Sequence, residues 1–250
     1  LLVLLLIAEG GIRMFMANQI TSEYSAGAQS DAGSEAELAE PKVSFGPQPV
    51  IFGLASGKLP HIDIETPSTL VVNGDEIYGE PASHVQMDNM RYGSGEPIAD
   101  SLRLDTELTN ELIRAMLNQQ LEQQMGEDAG TLANFINVSD VTANPEAGTF
   151  TVEFSGGVAG IELRPSMRDG QLALEAENTS LFGFDLPDGI ADAISGALSN
   201  GMAQEANSTM RIDDFRVIDG GLQVSMVGTD VNFNELQMMQ ESPAGFTTQQ

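Results

Sequence analysis

Few residues in this chain have types and spacings that could do chemistry. The only histidines are His61 and His84, each in a strand-like stretch with no Ser/Asp partner motif beside it. Neither reads as a general base or a metal ligand, because both roles need a second group held within bonding reach. The stretch Gly53-Leu-Ala-Ser-Gly57-Lys58-Leu59 approaches a phosphate-binding P-loop, but its glycine spacing is one residue short. Leu59 also stands where the Mg²⁺-binding hydroxyl is required. Ser155-Gly-Gly-Val-Ala-Gly160 follows a strand as a dinucleotide loop would. Its spacing is wrong, however, and Ile161–Pro165 is strand-like rather than the helix that would hold a pyrophosphate, so a hairpin turn is the better reading. Carboxylates are too numerous for a pair such as Asp213-Asp214 to stand out, and there is no G-x-S-x-G elbow and no H-E-x-x-H. Cysteine is absent, which removes thiol nucleophiles, disulfides and Cys-ligated metal. The residues thus give no catalytic group, no metal and no cofactor, and they read as a protein that is not an enzyme.

What remains is apolar surface. Val50, Ile51, Phe52 and Leu54 form a greasy patch between Pro/Gly turns, where an enzyme would place polar groups. A second apolar set, Leu112, Ile113, Met116, Leu117 and Leu121, recurs at helical spacing, and a third lies in Leu181-Phe182-Gly-Phe184-Asp-Leu186. Ile190 and Ile194 belong to one face of a shorter helix opened by Leu186-Pro187-Asp188. The candidates for contact with an apolar ligand are therefore Ile51, Phe52, Leu54, Leu112, Ile113, Met116, Leu117, Leu121, Phe182, Phe184, Ile190 and Ile194. For each of them an ordinary packed core is the competing reading.

The elements that would position these residues are mostly strands. His61–Glu65 alternates, with Ile62 and Ile64 on one face and Asp63 and Glu65 on the other. Thr69–Val72 and Ile77–Tyr78 flank the turn Asn73-Gly74-Asp75, Val85–Met90 follows, and Ile98–Asp105 alternates through Leu102 and Leu104. Thr109 is placed to cap a helix through Met125. Phe135–Ala143, Thr149–Phe154, Val158–Leu163 and Gln171–Ala176 make a second β block, and Met210–Ile218 with Leu222–Val227 makes a hairpin around Asp219-Gly220-Gly221. Asp230–Phe233 reads as a further short strand. The order of strands, helix, strands, helix, strands suggests a weak twofold repeat without a residue-level match. It predicts an α+β, predominantly β domain, a curved or barrel-like sheet with two amphipathic helices closing an apolar chamber.

Composition narrows the partners. With 37 acidic and 10 basic residues the net charge is −27, so phosphate backbones are repelled and nucleic acid is excluded. Twelve methionines and no tryptophan suit an adaptable apolar surface. Leu1–Ala8 is an unbroken apolar run, about 12 Å long as a helix against roughly 30 Å of bilayer hydrocarbon. It is too short to span and reads as the end of an export signal or signal anchor, with a buried N-terminal helix as the competing reading. Ile12, Phe15, Met16, Ile20 and Tyr24 continue at helical spacing, and residues 1–24 are expected to be anchor and exit helix. Residues 25–41, small and acidic, are expected to be a flexible linker. Residues 42–234 form the β domain and 235–250 a frayed tail.

The chain resembles the LmeA family of phospholipid-binding proteins of the actinobacterial cell envelope. The residues that carry the resemblance, in order, are Gly11-Ile12-Arg13; Val43-Ser-Phe-Gly46, Val50-Ile-Phe-Gly-Leu54 and Ser56-Gly57-Lys58-Leu59-Pro60; the passage Leu102–Leu117; Gly170-Gln-Leu-Ala-Leu174 with Leu186-Pro187; and Asp219-Gly-Gly-Leu-Gln-Val224 with Gly228-Thr-Asp230-Val231. The resemblance implies an elongated β fold around a lipid-accessible chamber, an exported envelope location, and binding or transfer of phospholipid through its acyl chains. It also implies a role in sustaining mannan and lipoglycan synthesis, and with it an envelope glycosyltransferase as partner. The family brings no catalytic residues with it. A β scaffold that binds and stabilises a membrane enzyme is the alternative, and a lipid or glycan hydrolase is disfavoured by the missing nucleophile and histidine constellations.

Overall fold

The computed structural model describes residues 2–32, 39–92, 96–125, 137–157, 159–168, 171–178, 180–181, 184–185 and 210–235. A long helix, α1 (Leu2–Ala32), precedes a short strand β1 (Lys42–Ser44) and a two-turn helix α2 (Val50–Ser56). The chain then runs through β2 (Lys58–Thr66), the small hairpin β3 (Val71–Asn73) and β4 (Glu76–Tyr78), β5 (Ser83–Arg91), β6 (Ile98–Thr109) and α3 (Asn110–Met125). Four strands follow: β7 (Val138–Asn144), β8 (Thr149–Phe154), β9 (Ala159–Arg168) and β10 (Gln171–Asn178). After the two-residue strands β11 (Ser180–Leu181) and β12 (Phe184–Asp185), the last hairpin is β13 (Met210–Ile218) and β14 (Gly221–Asn232).

Among the described residues there are two main antiparallel sheets, beside the two-stranded pairs β3-β4 and β11-β12. The larger has the order β1-β2-β5-β6-β14-β13 and the smaller β10-β9-β8-β7, and neither closes into a barrel. The protein is α+β and predominantly β, as its alternation predicts. It is not a twofold repeat: β13 and β14 return to the first sheet, with β14 beside β6 in register from Gly221↔Thr109 to Asn232↔Ile98. The reason is side-chain parity. Leu222, Val224 and Met226 present their apolar side chains to the same face as Leu108 and Leu104, so only this return covers both. Asp230–Phe233 is likewise no separate strand, because β14 runs through Asp230 to Asn232. Gly221 is needed where it sits: a Cβ there would collide with the Leu108 carbonyl of β6.

The helix expected after Thr109 begins there, and the Leu112 N–H donates to Thr109 Oγ1 at 3.2 Å. The greasy patch at Val50–Leu54, to which the sequence assigned no element, is helical. Pro49 opens α2, Gly57 closes it in the left-handed region (φ 71°), and Val50 is fully buried. Gly53 lies so close to the Lys58 carbonyl that any side chain would push α2 off the start of β2. The helix expected over Ile190 and Ile194 lies outside the described residues.

α1 differs too. It runs on past Tyr24 to Ala32, two further turns into the segment expected to be linker, where Ala26, Ala28 and Ala32 favour helix. It also docks on the β domain rather than standing apart. Ile12, Met16, Ala17 and Ile20 pack against a core of Phe45, Val50, Leu59, Ile62, Met87, Ala99, Leu102 and Val231. A second core joins α3 to the smaller sheet and the end of the β13–β14 hairpin, through Leu117, Leu121, Val141, Phe150, Val152, Ile161, Leu163, Leu172, Leu222 and Val224. No helix among the described residues is long and apolar enough to cross a membrane.

Candidate functional site

Between the two cores, one row of side chains crosses the whole six-stranded sheet. The pairings Val43↔Ile64, Ile64↔Val85, Val85↔Leu104, Leu104↔Met226 and Met226↔Ile212 line up six apolar residues, one per strand, on one face. All six are half-buried, whereas in the adjacent row Ile62, Met87, Leu102 and Gly228 are buried. Val43, Ile64 and Val85 lean on the α1 core, and Met226 and Ile212 on the α3 core; Leu104 belongs to neither cluster among the described residues. The row is thus an apolar seam with Val85 and Leu104 at its centre. At a strand spacing of about 4.8 Å it extends roughly 24 Å.

One step along the strands the same face turns polar. Thr66 Oγ1 and Ser83 Oγ share a hydrogen bond of 2.6 Å, and Thr106 Oγ1 donates to the Ala82 carbonyl at 3.1 Å. Because strand side chains alternate, Thr66, Ser83 and Thr106 lie on the seam's own side, next to Ile64, Val85 and Leu104. A hydroxyl row therefore borders an apolar row, which is an amphipathic surface.

The opposite face of the sheet is ionic. His61 Nδ1 lies 2.7 Å from Asp88 Oδ1, His84 Nε2 lies 2.9 Å from Asp63 Oδ2, and Lys42 pairs with Glu65 at 3.0 Å. Burial acts to raise the Asp63 carboxyl. Hydrogen bonds from His84 and Gln86 and the charges of His84 and His61 outweigh it and hold the group below its usual range. Asp63, Glu65 and His84 bring ligand-capable atoms within 4.8 Å of one another, so this trio could hold a metal ion. Yet each already has a protein partner: Asp63 has His84 and Gln86, and Glu65 has Lys42.

A third constellation ties α1 down. The Glu9 carboxylate accepts the Val50 and Ile51 N–H groups at 2.6 and 2.9 Å, supplying from another helix the cap that Pro49 cannot give α2. Arg13 bonds Glu9 at 2.6 Å and donates to the Gly46 and Gln48 carbonyls at 2.8 and 2.6 Å. Burial alone would raise the Glu9 carboxyl, but the two backbone donors and Arg13 lower it below the ordinary value. A depressed carboxyl stabilises the fold fully above its unfolded value, about pH 4, and less as pH falls through the folded value. Glu9→Gln should therefore cost about 1–2 kcal/mol at neutral pH, read by urea denaturation. The gap between wild type and variant should close as the pH is lowered through the folded carboxyl's range.

The sequence candidates fall into separate places. Phe52 and Leu54 are exposed on α2, at 64% and 37%, and Ile51 is half-buried with its N–H on Glu9. Leu117 and Leu121 are core residues of the α3 cluster, with Ile113 packed against it; Leu112 is buried and Met116 exposed. Phe184 lies in β12, but its side chain is outside the described residues, as are Phe182, Ile190 and Ile194 entirely. The structure therefore does not bring the α2 and α3 candidates together. The seam was visible only in fragments, as the alternation of Ile62/Ile64 and Leu102/Leu104. Its continuity depends on long-range strand register.

Fold and face together define a class: an open, mostly antiparallel β protein with an amphipathic seam between two cores. The chain belongs to the LmeA-like phospholipid-binding family, whose model matches residues 7–227. No curated protein and no solved structure matches it.

Proposed function

We propose that the protein binds phospholipid without catalysing a reaction on it, laying an acyl chain along the Val43–Ile64–Val85–Leu104–Met226–Ile212 row. The supporting observation is that these six apolar side chains form one half-buried line across six strands. One leaflet of bilayer hydrocarbon is about 15 Å deep, so a line of about 24 Å is long enough for such a chain. Moving ~15 methylenes from water onto protein gains on the order of 12 kcal/mol, but from a bilayer the gain is near zero. The cost of leaving a membrane is therefore set by how much of the chain the row and the two flanking cores cover, and binding coupled to transfer is the reading this supports. An exported, envelope-located protein fits the same reading, with the N-terminal apolar run as signal or anchor. The finer role, sustaining mannan and lipoglycan synthesis beside a glycosyltransferase, rests on the family resemblance.

Organic extraction of the purified protein, read by mass spectrometry, is expected to yield phospholipid, and a fluorescent-acyl phospholipid should exchange in. Finding neither would overturn the reading.

A further inference from the structure

At one end of this acidic molecule, α2 and the part of α1 packed on it carry almost no acid. Between Val43 and Ile62 there is no aspartate or glutamate, and from Leu1 to Ser22 only Glu9, although the chain holds 37 acidic residues. Glu9 is neutralised by Arg13 and spent on the α2 amides. Around it Asp88 pairs with His61, and Asp100 and Asp230 share Arg91, while Glu96 is exposed and accepts only from Asn232 at 3.4 Å. The same end displays apolar side chains. Phe52 is 64% exposed on α2, with Leu54 beside it, and Met14 and Phe15 are each 68% exposed on α1, less than two turns beyond Glu9. The apolar run Leu2–Ile7 is the preceding part of the same helix α1.

We propose that this end is a bilayer-docking surface, with Phe52 and Leu54 of α2 entering the headgroup boundary. Three features favour a lipid surface over a protein partner. α2 has no carboxylate of its own and the one beside it, Glu9, is paired, so this patch can approach a membrane without desolvating a free carboxylate of its own. Its apolar surface is continuous along the chain with the apolar start of α1. And α2 is held rigid, by Glu9 at its start, Gly57 at its end and the Tyr92 hydroxyl donating to the Gly53 carbonyl, so presenting Phe52 costs little ordering entropy. The surface is separate from the seam and does not depend on the lipid-binding reading, since a protein could dock here whatever it carries.

The test is flotation of the full chain with neutral phosphatidylcholine vesicles, comparing wild type with the double variant Phe52→Ser, Leu54→Ser. Both side chains point to solvent, so folding should survive. Wild type is expected to float, and the double variant to lose at least tenfold in vesicle partition, by the area rule for two exposed apolar side chains. Met167→Ser, at another exposed apolar site, should float as wild type does. The N-terminal run is present in every sample, so its own affinity cancels from the comparison. The proposal is overturned if wild type stays off vesicles, if the double variant floats within twofold of wild type, or if the two residues instead hold a dimer that the substitutions dissolve. Uptake of a soluble short-chain phospholipid should be unchanged by the double variant; failure of that uptake in wild type would count against the seam and leave the docking surface standing.

Discussion

Leu104→Asp is expected to lower phospholipid affinity by at least two orders of magnitude, measured by fluorescent-lipid titration. Leu104 is one of the two central residues of the seam, paired with Val85 on one side and Met226 on the other, and it belongs to neither core cluster. An acyl chain over the row would have to cover this position. A carboxylate there must either be stripped of water or keep the chain away. Burying an unpaired polar group costs about 1–3 kcal/mol on the protein scale and a charge more, while each 1.4 kcal/mol is tenfold in affinity. Because Leu104 is half-buried, the substitution should cost far less in stability than in binding. Thr229→Asp adds the same charge to an exposed position on the other face of β14 and should leave affinity alone. Leu104→Phe narrows the seam without adding polarity and should shift preference toward shorter acyl chains. If Leu104→Asp folds and binds as wild type does, the acyl chain does not lie on this row.

Local chemistry made much of the fold legible. Thr109 announces α3, Asn73-Gly74-Asp75 and Asp219-Gly220-Gly221 announce two hairpins, and the alternation at Ile62/Ile64 and Leu102/Leu104 shows which face of each strand is apolar. What escaped was set by partners distant in sequence. α2 is too short to show a full apolar period, and its start is capped by Glu9, 41 residues earlier. The seam needs β14 beside β6, a pairing between residues more than a hundred positions apart. Its half-burial comes from lying at the margins of two cores, Val43, Ile64 and Val85 on one and Met226 and Ile212 on the other, which no single segment encodes. Leu117 and Leu121 show the converse case: helical spacing found them as apolar, but spacing alone does not separate a chamber wall from the packed core in which they sit.

That second core depends on one polar side chain. Asn118 is 4% exposed and spends its amide entirely: its Oδ1 accepts the Val138 N–H at 2.8 Å, and its Nδ2 donates to the Val138 carbonyl at 3.1 Å and to Asp75 Oδ1 at 2.8 Å. One residue of α3 thus fixes the first strand of the smaller sheet and the tip of the β3–β4 hairpin, where Arg114 and Gln119 also bond. Asn118→Ala would leave the buried Val138 amide and carbonyl unpaired at 1–3 kcal/mol each, and add a small cavity. We expect a loss of about 3–5 kcal/mol in urea denaturation, a large share of the stability of a typical domain. Asn118→Leu should be no better, since it fills the space but satisfies none of the three partners. Asn118→Asp keeps the shape but replaces the donor with an acceptor facing Asp75 and the Val138 carbonyl, so it should be at least as damaging at neutral pH. Below the carboxylate range protonation restores a donor, and the penalty of Asn118→Asp relative to wild type should shrink there while that of Asn118→Leu does not. A pH-independent gap for the aspartate variant would show that the amide acts by shape alone and not through these hydrogen bonds.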